Sequence, residues 1–319
     1  MAGILVIAEA NEGALAPISG ELLGAARKLS GEGAGSVTAF VAGDEALGKE
    51  LIALGADAAV VATNPALAGA LAEVYLPAVQ AAIQQSGADI VLMGQTALGR
   101  DLGPLLAFAQ GTAVSMETVD VSYDGKVHAI RSCYGGNARA VVSFRNAPAV
   151  VTLKAKSFDA PEPDASRSGS VTTIDVAGEV RVKVLGVTKA ESSGIRLEDA
   201  PVVVSGGRGL GDPSAFKMLE ELAALLKGAT GASRAACDLG WYPPSQQVGL
   251  TGKVVSPNLY IAVAISGASQ HMAGMSGSKN IVAINKDPDA NMVKVAKYAI
   301  IEDYRKVVPA IIEEIKKVQ

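Results

Sequence analysis

Residues 201–228 read PVVVSGGRGLGDPSAFKMLEELAALLKG, and this order of residue types decides the fold class. Pro201–Ser205 is an apolar run of strand length. A glycine-rich loop, Gly206 to Gly211, follows it, and Asp212 then stands as an N-cap with Pro213 in the first helical position. Phe216, Leu219, Leu222, Ala223 and Leu226 recur at the spacing of one helix face, and Lys227-Gly228 closes the segment. Strand, glycine turn and amphipathic helix in this order form a βα unit of a parallel sheet. Downstream, Leu259–Ser266 and Asn280–Asn285 are further strands, Asp287-Pro288 starts another helix, and Val307–Val318 is the last one.

The first half of the chain alternates in the same way. Ile4–Ala8, Val37–Val41, Ala58–Ala62 and Asp89–Met93 are strand-length apolar runs. The helical stretches Pro17–Leu29, Glu45–Leu54 (with Asp44 as N-cap) and Gly69–Gln84 lie between them. From Ala113 the pattern changes. Val119, Val121 and Tyr123 alternate with polar residues up to Asp124-Gly125, a strong hairpin-turn signal, and Val127–Arg131, Ala138–Phe144 and Ala149–Leu153 follow as strands. This stretch is expected to be an antiparallel extension that closes the first domain. Phe158–Gly169 is a Pro/Ser/Asp-rich loop, Glu179–Val187 a final strand, and polar, non-periodic Lys189–Asp199 the domain boundary. The expected fold class is therefore α/β with two domains, 1–190 and 191–319. Each is a mostly parallel sheet flanked by helices, the first with the antiparallel extension and the second doubly wound.

Composition agrees and excludes several function classes. With 49% hydrophobic residues the chain has ample material for two cores, which rules out intrinsic disorder. Basic and acidic residues number 28 and 32, a net charge of −4 with no basic block, so a nucleic-acid surface is not expected. Cys133 and Cys237 form no CxxC pair, and His128 and His271 are too few for a histidine-rich metal centre. The opening MAGILVIAEANEG lacks a basic n-region and a cleavage site, and no run of 18 apolar residues occurs. The expected location is cytoplasmic.

Candidate chemistry concentrates in the second domain. The loop after Ser205 can offer backbone N–H groups to an anion, and Arg208 within it adds a guanidinium that a bare turn does not need. It matches neither the dinucleotide fingerprint, since Asp212 stands where the third glycine belongs, nor Walker A. Ser266-Gly267-Ala268-Ser269-Gln270-His271 follows an apolar strand and belongs at its carboxyl end, where open parallel sheets bind ligands. No GxSxG elbow surrounds Ser266, and no carboxylate pair accompanies the single histidine of this region. Gly231-Ala232-Ser233-Arg234-Ala235 and Gln247-Val248-Gly249-Leu250-Thr251-Gly252 taken singly are ordinary loops. Parallel-sheet geometry would gather all four segments on one edge.

The residues of these segments also resemble a known family. VVVSGGRGLG (202–211), GASRAACDLGW (231–241), QVGLTGKVVSPNLYIAVAISGASQHMAGMSGSKNIVAINKDPDA (247–290) and KVVP (306–309), in that order, are similar to the alpha subunit of electron-transfer flavoproteins. LGRDLGP (98–104) and CYGGNARAVV (133–142) extend the likeness into the first half. Ala264 stands where that family commonly has glycine, and Ser269 where it commonly has a branched aliphatic residue. The resemblance implies FAD held by the second domain. Its flavin-contacting positions fall on Arg208, Ser233, Arg234, Val248, Gly249, Leu250, Thr251, Ser266, Gly267, Ala268, Ser269, Gln270, His271, Asn285, Asp303 and Tyr304. It places the pyrophosphate at the amides of Ser266–Ala268, Thr251 near flavin N5, His271 near flavin O2, Arg234 beside the ring, and Asn285 and Asp303 at the adenosine end. It further implies a heterodimer with a beta subunit that carries AMP or a second FAD. Flavoprotein dehydrogenases such as those for acyl-CoA are the implied donors and a membrane quinone reductase an implied acceptor, which places the chain in fatty acid oxidation. The rivals are a nucleotide-binding regulatory module of the same fold, distinguished by lacking a bound flavin that dithionite bleaches, and an NAD-dependent dehydrogenase, distinguished by steady turnover of NADH.

Overall fold

The computed structural model describes residues 3–134, 138–179, 182, 184–186 and 195–318. The chain divides into two compact units, Met1–Val187 and Thr188–Gln319.

The first unit contains β1 (Gly3–Ile7), a small hairpin of β2 (Ala10–Asn11) and β3 (Ala14–Leu15), α1 (Pro17–Leu29), β4 (Val37–Ala42), α2 (Glu45–Ala53), β5 (Ala58–Ala62), α3 (Ala72–Ser86), β6 (Ala88–Gly94), α4 (Ala97–Ala109), β7 (Val114–Tyr123), β8 (Val127–Cys133), β9 (Ala138–Ser143), β10 (Ala149–Leu153) and β11 (Ser170–Ile174). Its large sheet has the order β11-β5-β4-β1-β6-β10-β7-β8-β9. The pairings from β11 to β7 are parallel, and those of β7 with β8 and β8 with β9 are antiparallel. Apolar side chains alternate between the two faces of the central strands: Ile4 and Val6 pack with Leu22 and Leu92, whereas Leu5 and Ile7 pack with Val79 and Leu102. Asp44 caps α2 as expected, accepting from the N–H groups of Ala46 at 3.0 Å and Leu47 at 3.2 Å.

Three expectations for this unit need correction, and one helix was not expected. Ala149–Leu153 does not belong to the antiparallel extension; it runs parallel between β6 and β7. All five of its residues are buried, as a strand covered on both faces requires. Residues 97–109 form a helix that the sequence reading did not place, because Pro104 and two glycines hide it; Thr96 caps it by accepting from the Gly99 N–H at 3.1 Å. The stretch expected to be helical from Gly69 starts later, at Ala72, after a short turn of helix at Pro65–Gly69 and left-handed Ala70. The closing edge strand is Ser170–Ile174, not Glu179–Val187: Glu179, Val182 and 184–186 carry no strand, and the other positions of that stretch lie outside the described residues, as do 189–194 of the expected boundary.

The second unit contains β12 (Val202–Gly206), α5 (Phe216–Leu225), β13 (Ala229–Ala232), α6 (Arg234–Asp238), β14 (Leu259–Val263), α7 (Ser269–Ala273), β15 (Asn280–Asn285), α8 (Asn291–Val295), β16 (Tyr298–Ile301) and α9 (Tyr304–Val318). The sheet order is β13-β12-β14-β15-β16, parallel throughout. From β12 the chain moves outward to β13, then crosses back to β14 on the other side. That is a doubly wound sheet whose order reverses between β12 and β14. Val204, Phe216, Leu219, Ile261 and Val308 form the core on one face, and Val203, Tyr260, Ala262, Met275 and Met292 the core on the other.

Here the sequence reading misses β13 and β16, which are only four residues each. It also carries β14 too far: the strand ends at Val263, because Ala264 turns into the left-handed region at φ 54°. Asp287-Pro288 opens a turn, with Asp287 accepting from the Asp289 N–H, and the helix begins only at Asn291. The last helix starts at Tyr304 rather than Val307.

Candidate functional site

A cleft of about 680 Å³ opens at the carboxyl ends of β12 and β14, where the strand order reverses. Its floor is the meeting of two turns. The Gly207 N–H donates to the Val263 carbonyl at 2.9 Å, and a Cβ at Gly207 would lie 2.2 Å from the Ala264 oxygen, so the turns touch only because that side chain is absent. One wall is the segment 247–251. It is stitched to its neighbours by the Val248 N–H donating to the Ala232 carbonyl at 2.9 Å and the Leu250 N–H donating to the Gln270 carbonyl at 2.8 Å.

Arg208, Ser233, Arg234, Val248, Gly249, Leu250, Thr251, Ser266, Ala268, Gln270, His271 and Asn285 all line this cleft. Four sequence candidates do not. Gly267 is buried in its turn at φ 83°, where a Cβ would meet the Met292 nitrogen at 2.3 Å. Ser269 is the exposed first residue of α7. Asp303 pairs with Lys286 at 2.8 Å, and the Lys286 ammonium holds its carboxyl below the usual range. Tyr304 is buried, and its hydroxyl donates to the Leu210 carbonyl at 2.7 Å. Tyr304 thus holds the loop bearing Arg208 and takes no part in the cleft surface.

The cleft is also lined by Gly207, Gly209, Gln247, Ala264, Asp238 and Asp287, which stand within the motif segments but not among the residues expected to contact the cofactor. The last two change the charge of the site, which the sequence suggested was free of a carboxylate pair. Asp238 was legible in principle, since it stands four residues after Arg234 on α6 and pairs with it at 3.4 Å. Gln247 donates from Nε2 to Thr251 Oγ1 at 3.1 Å. Asn285 spends its own amide on the cleft wall: Nδ2 donates to the Ile265 carbonyl at 2.9 Å, and Oδ1 accepts from the Asp287 N–H at 3.1 Å.

His271 is the cleft residue with the most perturbed chemistry. It is 5% exposed, its Nε2 lies 2.9 Å from the Tyr260 hydroxyl, and its buried Nδ1 has no partner in hydrogen-bonding geometry. Burial pushes its pKa down to about 4, against a smaller upward pull from the Val248 backbone, so the imidazole is neutral at pH 7. The arrangement offers two exposed guanidiniums, a neutral imidazole and a glycine-lined floor. Its volume falls among pockets of roughly 300–1,000 Å³ that hold cofactors. Those features fit an extended, anionic, aromatic ligand such as FAD. Among the described residues no cluster suited to a metal ion occurs, and no helix is long and apolar enough to cross a membrane.

Fold and cleft together define a doubly wound α/β protein with a cofactor-type cleft at its switch point. Residues 4–179 match the family model described as "Electron transfer flavoprotein domain", and residues 196–276 match "Electron transfer flavoprotein FAD-binding domain". The chain is 40% identical to the electron transfer flavoprotein subunit alpha of Thermoanaerobacterium thermosaccharolyticum, covering 99% of this chain and 98% of that one. It is also 40% identical to the subunit alpha of Bacillus subtilis (98% and 97% covered) and 36% identical to protein FixB of Clostridium saccharobutylicum (99% and 97%). The chain belongs to the electron transfer flavoprotein alpha-subunit family.

Proposed function

We propose that the chain is the FAD-binding alpha subunit of a heterodimeric electron transfer flavoprotein of the cytoplasm. In this reading it takes electrons from flavoprotein dehydrogenases, such as those of acyl-CoA in fatty acid oxidation, and passes them to an acceptor such as a quinone reductase. A beta subunit carrying AMP or a second FAD completes the dimer. The observation that carries the reading is the convergence of Arg208, Arg234, Thr251, Ser266, His271 and Asn285 on one cleft at the sheet's switch point.

FAD, when bound, supplies the one-electron redox chemistry. The chain's residues bind and orient it. Arg208 and Arg234 bring positive charge to a ligand that carries phosphates and gains negative charge on reduction. His271, neutral and buried, provides a hydrogen-bonding nitrogen without adding a charge. Thr251, steadied by Gln247, places a hydroxyl on the wall formed by 247–251. Asp238 offsets part of the Arg234 charge. The test is co-purification with the partner subunit, counting FAD and AMP per dimer, then supplying a reduced acyl-CoA dehydrogenase. A yellow complex bleached by the dehydrogenase is expected. A complex that takes up no FAD refutes the reading, and one that holds FAD but accepts no electrons favours the regulatory module.

A further inference from the structure

Residues 195–200 bring the chain into the second unit, and they pack on the segment that forms one wall of the cleft. The Asp199 and Ala200 N–H groups donate to the Arg196 carbonyl at 3.1 and 3.0 Å, which makes a compact turn directly before β12. Leu197 is buried in this turn and shares a cluster with Val248 and Val255. Their approach depends on Gly231, where a Cβ would lie 2.9 Å from Val248 Cγ2 and 3.4 Å from Leu197 Cδ1. Beside Leu197, the Glu198 carboxylate accepts from Lys253 Nζ at 2.5 Å, the two side chains being 28% and 42% exposed. Arg196 stands farther from that carboxylate, at 4.0 Å, and pairs with Asp199 at 3.6 Å.

Lys253 joins this turn to the cleft. Its N–H donates to the Gln247 carbonyl at 2.7 Å and its carbonyl accepts from the Gly249 N–H at 3.1 Å, so 247 and 253 are pinned together as the base of a loop. Leu250, Thr251 and Gly252 form the exposed tip, and the first two line the cleft, whereas Glu198 and Lys253 stand outside it. An exposed tip with little packing of its own takes its position from the hydrogen bonds at its base. The residue that makes two of those bonds is the one whose side chain the entry turn holds.

We propose that Glu198 is a positioning residue for the cleft: by holding the Lys253 ammonium it fixes the base of the loop 247–253, and with it the place of the Thr251 hydroxyl against the ligand. Entry turn and cleft are thereby coupled. Coupling of this kind is reciprocal, so a ligand resting on the wall steadies residues 196–200 in turn. This deepens the proposed function and rests on it only for the identity of the ligand, FAD. A half-buried ion pair shifts an equilibrium by up to about fivefold, which sets the size of effect to be read.

The experiment is amide hydrogen exchange of the full chain, co-purified with its partner subunit, with and without FAD. Without FAD, Glu198→Gln should speed exchange at 249–253 by up to about fivefold and leave β12 and β14 unchanged. Lys253→Gln should do the same, and the double variant should exchange no faster than either single one, because both remove one interaction. Adding FAD to the wild type should slow exchange at Asp199 and Ala200, which lie outside the cleft, and Glu198→Gln should lose that protection together with a few-fold of flavin affinity. Unchanged exchange at 249–253 in Glu198→Gln overturns the proposal, as do effects that add in the double variant, or bound FAD that leaves 199–200 unprotected. The first arm contains no flavin and decides alone if none binds. Failure of the electron-transfer reading would show itself separately, as absence of FAD from the purified dimer.

Discussion

Replacing Gly207 by alanine should damage the cleft more than any other single methyl added to the loop after β12. The new Cβ would sit 2.2 Å from the Ala264 oxygen, 2.8 Å from its carbonyl carbon and 2.8 Å from Ile265 Cγ1. Restoring ordinary contact at about 3.4 Å requires the two turns to part by roughly 1.2 Å. The obstacle is backbone, so no rotamer change relieves it. Overpacking of this kind costs about 1–3 kcal/mol of stability. A misplacement near 1 Å can cost about 100-fold where geometry matters, and a loss of that order in FAD affinity is expected. Gly209 faces the same oxygen at 2.8 Å, so Gly209→Ala asks for half the displacement and should lose much less. Gly211 has open space but φ 79°, so Gly211→Ala should cost about 1–2 kcal/mol in backbone strain and leave affinity unchanged. Urea denaturation and flavin titration of the three variants, with the partner subunit present, test the series. Equal flavin affinity for Gly207→Ala and Gly211→Ala would refute the close-approach argument.

Three further outcomes follow from the same site. Arg234→Ala should lower the flavin midpoint potential and Asp238→Asn should raise it. Because Arg234 is 68% exposed and already paired, each change should be tens of millivolts, less than the ~59 mV that a tenfold effect gives in a one-electron couple. Spectroelectrochemical titration checks both signs, and a fall in Asp238→Asn would contradict the pairing. Tyr304→Phe should cost about 1–2 kcal/mol in urea denaturation, because it strands the Leu210 carbonyl; an unchanged midpoint would mean the bond contributes nothing. For His271, the folded pKa near 4 lies below the unfolded 6.5, so the unfolded chain takes up a proton first as pH falls. Stability should therefore drop by up to about 1.4 kcal/mol per pH unit between 6.5 and about 4, and His271→Gln should lose that component of the slope. Identical slopes for the two proteins would show the imidazole to be solvated.

Where the sequence was informative, local chemistry was strong. Asp44 and Asp212 announce helix starts by their capping geometry, and the continuous apolar runs at β1, β4, β5 and β12 mark buried parallel strands. What stayed illegible depends on partners distant in the chain. Nothing within Ala149–Leu153 says that it inserts between β6 and β7, and the four residues of β13 are too few to carry a period. The same holds for the cleft. Arg208, Ser266 and His271 stand out by type, whereas Ala264 and Ile265 line it through a turn set by φ 54° at Ala264, which alanine does not advertise. Tyr304 is a site position only through the resemblance to the family, and its hydroxyl is consumed in holding another loop.

The position of β10 has a consequence for the order in which the chain can assemble. β6 and β7 are joined by α4 and are consecutive strands of the large sheet in sequence, yet they are not neighbours in it; β10 lies between them. As the polypeptide emerges from a ribosome, the arm of β7, β8 and β9 can pair within itself, but it has no seat on the parallel sheet until residue 153 has been made. Until then both β6 and β7 present an unpaired edge, and closing them directly on one another would trap a sheet lacking its most buried late strand. The unit is therefore zipped shut from the inside by a strand that arrives after both of its neighbours.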